Sequence, residues 1–185
     1  MAEPVPEMVV FASAYESLRR ALGDALDLAA LERFRALGVD MAGRLKVAYP
    51  YESWIKSLHM AAELLAPGAS IEEATYVVGR RILESYAETV IGKATFGLLK
   101  VIGPRRGFNQ IRRSLRTTNN YSRTTFTEIA PGVFHLWCSN VTFPHYYRGI
   151  FEAGMELTGR RDGTAKLLSH DEAGATFEIR WSELK

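Results

Sequence analysis

Thr124-Thr125-Phe126-Thr127-Glu128-Ile129 and Val133-Phe134-His135-Leu136-Trp137-Cys138, joined by Ala130-Pro131-Gly132, decide the fold. Upstream of this stretch apolar residues recur every three or four positions. Within it they alternate, and threonine, valine and aromatic side chains dominate. Alternation, β-branched content and a Pro-Gly turn predict an antiparallel hairpin. In the second strand Phe134, Leu136 and Cys138 share one face and Val133, His135 and Trp137 the other. Both faces are substantially apolar, so both are expected to be covered.

Downstream, Pro144 opens a helix reaching about Leu157, with Ile150, Phe151 and Met155 as packing residues, Gly154 allowing close approach and Gly159 as the stop. Ala165–Leu168 and Thr176–Trp181 form two further strands around Asp171-Glu172-Ala173-Gly174. Upstream, Val9–Phe11 suits a short edge strand. A helix around Tyr15–Leu22 is closed by Gly23, and a second over Ala29–Leu37 has Gly38 at its C′ position. Trp54, Leu58, Ala61, Ala62 and Leu65 follow Pro50 at helical spacing, and Pro67-Gly68 ends that helix.

Ser70 and Glu73 make a capping box for a helix that buries Ile71, Ala74, Val78 and Ile82 before reaching Tyr86 and Val90. Gly92 is expected to break or bend that pattern. Phe96, Leu99 and Val101-Ile102 continue it, until Gly103-Pro104 stops one helix and starts the next. The order is helices, strand pair, helix, strand pair. It predicts a single α+β domain over residues 1–185, flexible at 1–7, whose antiparallel sheet of about four strands is covered by an N-terminal helical layer.

Composition narrows the function classes. At 47% apolar content the 185 residues suffice for an ordinary globular core. No run of eighteen uncharged apolar residues is present, so no membrane span is expected. The segment Met1-Ala2-Glu3-Pro4-Val5-Pro6-Glu7 has no basic region followed by an apolar one, and a lone Cys138 forms no internal disulfide; both fit a cytoplasmic protein.

Charge is distributed unevenly. Arg80 to Arg123 holds ten basic residues against Glu84 and Glu88, a local excess of +8 in a chain whose net charge is +2. Its densest part, Pro104 to Arg116, reads as a cationic amphipathic helix. Arg105, Arg112 and Arg116 lie on one flank, Arg106 and Arg113 on a neighbouring one, and Phe108, Ile111 and Leu115 on the apolar face. Such a segment either steers an anionic partner or is a solvated face. The overall balance is not basic enough, and no reading module is evident, to suggest nucleic acid.

Several stretches resemble a known family: Ala48-Tyr49-Pro50-Tyr51-Glu52-Ser53-Trp54, Gly79-Arg80-Arg81-Ile82-Leu83-Glu84-Ser85-Tyr86-Ala87-Glu88-Thr89, Gly103-Pro104-Arg105-Arg106, Arg116-Thr117-Thr118-Asn119-Asn120-Tyr121 and Thr176-Phe177-Glu178-Ile179-Arg180-Trp181. Together they resemble a domain family of unknown function expanded in myxobacteria, from about Val9 to Trp181. By element order and a terminal aromatic strand the chain also resembles haem nitric-oxide-binding, four-vinyl-reductase-type and Bet3-type trafficking domains. That resemblance implies a ligand-binding or interaction module with a pocket between helices and sheet. It names no ligand.

The haem branch holds its cofactor with an axial histidine and a spaced Tyr-x-Ser-x-Arg motif, whereas Tyr121-Ser122-Arg123 is contiguous here. His59, among Leu58, Met60 and Ala61, reads more simply as a structural histidine. His135 and Cys138 point to opposite strand faces, and His145 does not complete a metal set. Cys138 reads as a small buried hydrophobe. Ser139 and Ser169 lack a nucleophile elbow, His170-Asp171 makes no relay, and phosphate-loop and dinucleotide fingerprints are absent. The sequence therefore assigns no metal, no cofactor and no catalytic residue.

What it predicts is a non-catalytic sensor or adaptor domain. Its pocket walls would come from Trp54, Tyr86, Phe96, Phe126, Trp137 and Phe151. Arg80, Arg81, Arg116, Asn119, Asn120 and Tyr121 would form a polar, basic mouth, if folding brings the two arginine sites together. The ligand would be a lipid-like or anionic small molecule. The alternative is a homodimeric interaction module, or one with an acidic protein partner, anchored by Tyr146-Tyr147 beside Arg148. The same mouth residues also suit a purely structural crossover network.

Overall fold

The computed structural model describes residues 7–102 and 116–182. Most of the cationic helix expected over 104–116 and most of the N-terminal stretch expected to be flexible lie outside the described residues. The chain runs β1 (Val9–Phe11), α1 (Ala12–Leu22), α2 (Leu28–Ala36), β2 (Ala48–Pro50), α3 (Tyr51–Leu65), α4 (Ile71–Ala87) and α5 (Val90–Ile102). It continues with β3 (Thr124–Ala130), β4 (Val133–Ser139), α6 (Pro144–Leu157), β5 (Thr164–Asp171) and β6 (Gly174–Arg180). The result is an α+β fold. A four-stranded antiparallel sheet has the order β3-β4-β6-β5, and β1 pairs with β2 in a small sheet of their own.

Local chemistry explains the boundaries. The Pro131-Gly132 turn joins β3 to β4, with Gly132 at φ 71°, where a side chain would be strained. Asp27 caps α2 through Ala30 N–H. At its other end Val39 N–H bonds Phe34 C=O and Gly38 N–H bonds Arg35 C=O, closing a Schellman motif. Ser70 and Glu73 form the expected capping box, although Ile71, expected on the buried face, is 41% exposed at the first turn. The break after α4 falls at Glu88-Thr89. Thr89 caps α5 through Gly92 N–H, and Gly92 lies directly on the Tyr86 carbonyl.

Helix α6 is the centre of the packing, with the sheet on one side and α4 on the other. On the sheet side Phe151 meets Phe177 edge-on at 5.3 Å, beside buried Phe134, Leu136, Cys138 and Ile179. On the helix side Gly79 and Gly149 bring the α4 and α6 backbones together: a methyl group at Gly79 would overlap the Tyr146 carbonyl, and one at Gly149 the Tyr76 carbonyl. Around this crossing Arg80 donates to both Glu156 oxygens at 2.9 and 2.7 Å and to Glu84 at 3.1 Å. Tyr76 and Arg148 both donate to Glu152, which also accepts Ala165 N–H.

The outer face of β4 differs from expectation. Val133, His135 and Trp137 are only half-buried, because their cross-strand neighbours are polar: Trp137 lies opposite Thr125 and Thr176, and His135 opposite Thr127 and Glu178. The sheet therefore buries one face deeply, and its other face is amphipathic.

Candidate functional site

A cavity of about 330 Å³ lies among the helices. The expected position is between helices and sheet. However, α6 lies flush on the sheet through Phe151, and no residue of the four-stranded sheet lines the cavity among the described residues. Val10, Ser13, Ala14 and Ser17 form one side and Trp54 of α3 the floor beside them. Ile82, Leu83 and Tyr86 come from α4, Thr95, Phe96 and Leu99 from α5, and Tyr146, Tyr147, Ile150, Phe151, Gly154 and Met155 from α6. Thr117, Thr118, Asn119, Tyr121 and Thr158 complete the described wall.

Of the six aromatic residues named from the sequence, Trp54, Tyr86, Phe96 and Phe151 face this cavity. Phe126 and Trp137 do not. Phe126 stacks on Phe134 at 4.7 Å, which in turn stacks on Trp181 at 4.5 Å, at a different part of the sheet. Trp137 points to the outer sheet face, as its odd register position in β4 requires.

The six mouth residues are also divided. Asn119 and Tyr121 line the cavity. Asn120 is turned the other way: its Oδ1 accepts Val9 N–H and its Nδ2 donates to Glu7 C=O, which fastens β1 to this segment. Arg81 and Arg116 are exposed and line no part of the cavity, and Arg80 lies in a separate surface depression with Glu84, Lys100, Glu156 and Arg161. Arg80 projects from α4 toward α6, while Arg116 lies beyond α5, so the two basic sites do not meet at the cavity.

Asn119 shapes the polar end. Its Oδ1 accepts Ser122 N–H at 2.7 Å and Tyr121 N–H at 3.2 Å, an Asx turn that holds Tyr121 at the wall. The Tyr121 ring meets Tyr51 edge-on at 4.8 Å, and Tyr51 is fixed by Thr142 Oγ1 at 2.6 Å. Tyr146 and Tyr147 meet edge-on at 5.3 Å. Burial pushes the Tyr121, Tyr146 and Tyr147 hydroxyls above the ordinary phenol range, and for Tyr121 the neighbouring phenols add to that effect. All three are therefore neutral and able to donate. Tyr146 and Tyr147, expected from the sequence as interface anchors, are both 8% exposed and belong to the interior. The signal was present in the spacing: Tyr146 and Ile150, then Tyr147, Phe151 and Met155, recur every four residues along one apolar stripe.

A family model described as "Protein of unknown function (DUF2378)" matches residues 8–182. The chain belongs to the DUF2378 family. No curated protein matches this DUF2378 chain in sequence. Its fold is similar to that of an oxygen-binding H-NOX domain related to soluble guanylate cyclases, with 11% identity, a TM-score of 0.65 and coverage of 94% of this chain and 97% of that one. A mutant Fe(II) unliganded H-NOX protein from K. algicida is similar at 13% identity and a TM-score of 0.58, with 91% and 95% covered. At these identities the likeness is one of fold, and it agrees with the element-order resemblance to haem nitric-oxide-binding domains.

The residues of this DUF2378 chain do not fit a haem. Neither histidine nor cysteine lines the cavity among the described residues, and residues 103–115 contain neither. His59 faces outward beside Glu63 at 3.2 Å, and His135 sits on the outer sheet face near Glu178. His145 lies near Glu72, and the His170 ring is taken up by Val141 C=O at 2.7 Å. Cys138 is buried under the sheet, its thiol pushed up to about 12. Among the described residues no cluster of His, Cys, Asp or Glu could hold a metal ion, and no helix is long and apolar enough to cross a membrane.

Proposed function

We propose that this DUF2378 domain is a non-catalytic sensor or adaptor whose helical cavity binds one small, mostly apolar molecule. The observation that carries the reading is the cavity itself. Its volume, about 330 Å³, lies within the usual range for small-molecule sites, and its described lining combines apolar side chains with hydroxyls and one amide. Trp54, Tyr86, Phe96 and Phe151 would form the walls, with Asn119 and Tyr121 at the polar end. The H-NOX-like fold supports the same class of role. A basic mouth draws less support, since Arg80 is engaged by Glu84 and Glu156. Native mass spectrometry of the chain purified from its source tests the proposal. A retained small molecule, released on unfolding, is expected; a ligand-free chain that also takes up no apolar dye contradicts it.

A second reading, a homodimeric interaction module, rests on a different observation. The α5 residues Val90, Ile91, Leu98 and Val101 are 86%, 69%, 60% and 84% exposed and fall on one side of the helix. Lys93 and Lys100 flank that stripe and would also suit an acidic partner. Light scattering at micromolar concentration separates the outcomes: a dimer lost in Leu98→Asp supports this reading, and a monomer contradicts it.

A further inference from the structure

We infer that the molecule held in this cavity carries an uncharged hydrogen-bond-accepting head, such as an ester, ketone or quinone carbonyl, received by the phenols of Tyr121 and Tyr146. The inference rests on the reading of the cavity as a ligand site and adds the chemistry of the ligand.

Three observations carry it. First, no charged side chain lines the cavity among the described residues, so no described cation offsets a ligand carboxylate or phosphate there. An ion moved into such a lining loses its hydration without a compensating partner, at a cost far above that for a neutral carbonyl. Second, three of the lining hydroxyls are engaged: Ser13 Oγ donates to Thr117 C=O, Ser17 Oγ to Ser13 C=O, and Thr158 Oγ1 to Gly154 and Met155 C=O. Asn119 Oδ1 already accepts two backbone N–H groups.

Third, Tyr121 and Tyr146 line the cavity, and neither hydroxyl makes a hydrogen bond among the described residues. Tyr147 lines the cavity as well, with Ser122 next to its hydroxyl. Two neutral phenol donors in a described lining that carries no charge are suited to a hydrogen-bond acceptor. The raised pKa of each phenol, caused first by burial, agrees with surroundings that disfavour negative charge.

Displacement of Nile red by methyl decanoate and by decanoate, at neutral pH, tests the inference with two ligands that differ only at the head. The ester is expected to displace the dye at a concentration at least about tenfold lower than the carboxylate. Tyr146→Phe and Tyr121→Phe, which keep the rings and hence the packing, should each weaken ester binding about two- to tenfold. Decanoate binding as well as its ester overturns the inference and leaves the cavity reading standing, as does unchanged ester binding in both variants. Failure of Nile red itself to bind the folded protein overturns both.

Discussion

Gly79 of α4 lies directly against the backbone carbonyl of Tyr146 in α6, with no room for a side chain between them. Tyr146 is also a cavity residue, so the closeness of this crossing sets the width of the proposed site. Gly79→Ala should separate the helices and lower stability by about 1–3 kcal/mol, and Gly149→Ala, on the opposing helix, should act likewise. Thermal unfolding checks this. A variant with an unchanged transition would mean that the two backbones can part at no cost.

Arg80 distinguishes a structural from a ligand-binding cation. Its side chain is 24% exposed and spans α4 and α6 through Glu84 and Glu156, whose side chains are 35% and 43% exposed. With that much solvent around the acids, Arg80→Ala should cost only about 1 kcal/mol. Dye binding in the cavity should be unchanged. A large loss of binding without a loss of stability would restore Arg80 to the site.

Asn119→Ala removes the acceptor of two backbone N–H groups, leaving both without that partner, and should destabilise by about 1–3 kcal/mol. Asn119→Asp keeps the oxygen and should retain most of the stability in chemical denaturation. Equal losses in both variants would mean the Asx turn is not what the side chain provides.

Two limbs of pH dependence follow from the ionisable groups. Arg80 holds the Glu156 carboxyl below its ordinary 4.5, so the folded state binds its proton less readily than the unfolded chain. That stability is fully present above the ordinary glutamate range and is lost as pH falls through and below it. At the other extreme, burial pushes Tyr15 up to about 12 from 10.0, so its contribution is complete below pH 10.0 and is lost as pH rises toward 12. Denaturation midpoints measured across pH should fall at both ends, and Glu156→Gln should flatten the acid limb.

Much of the fold was legible because local signals agreed with one another. Ser70 with Glu73, Gly38 after Leu37, and Pro131-Gly132 between alternating strands each fix a boundary by side-chain or backbone chemistry alone. The site was less legible. Trp54, Tyr86, Phe96 and Phe151 carry helical spacing, but spacing does not say which buried ring borders a void and which fills one: Phe126 stacks in the sheet, while Phe96 faces the cavity. Arg80 shows a second limit. Runs of like charge describe a sequence segment, whereas pairing with Glu156 joins residues 76 positions apart. Tyr146 and Tyr147 were misplaced because tyrosine suits an interface as well as an interior, and only the packing of α6 against α4 decides between them.

Nile red titration of the wild-type chain beside Ser17→Phe asks whether the helical cavity takes up a small apolar molecule. Ser17 lines the cavity, and its hydroxyl bonds only its own helix through Ser13 C=O among the described residues, so a ring placed there occupies the space a ligand would use. Saturable one-to-one binding to the wild type, weakened at least about tenfold in a variant that remains folded, is the predicted result. Equal binding by both proteins, or no binding by the folded wild type, would contradict it.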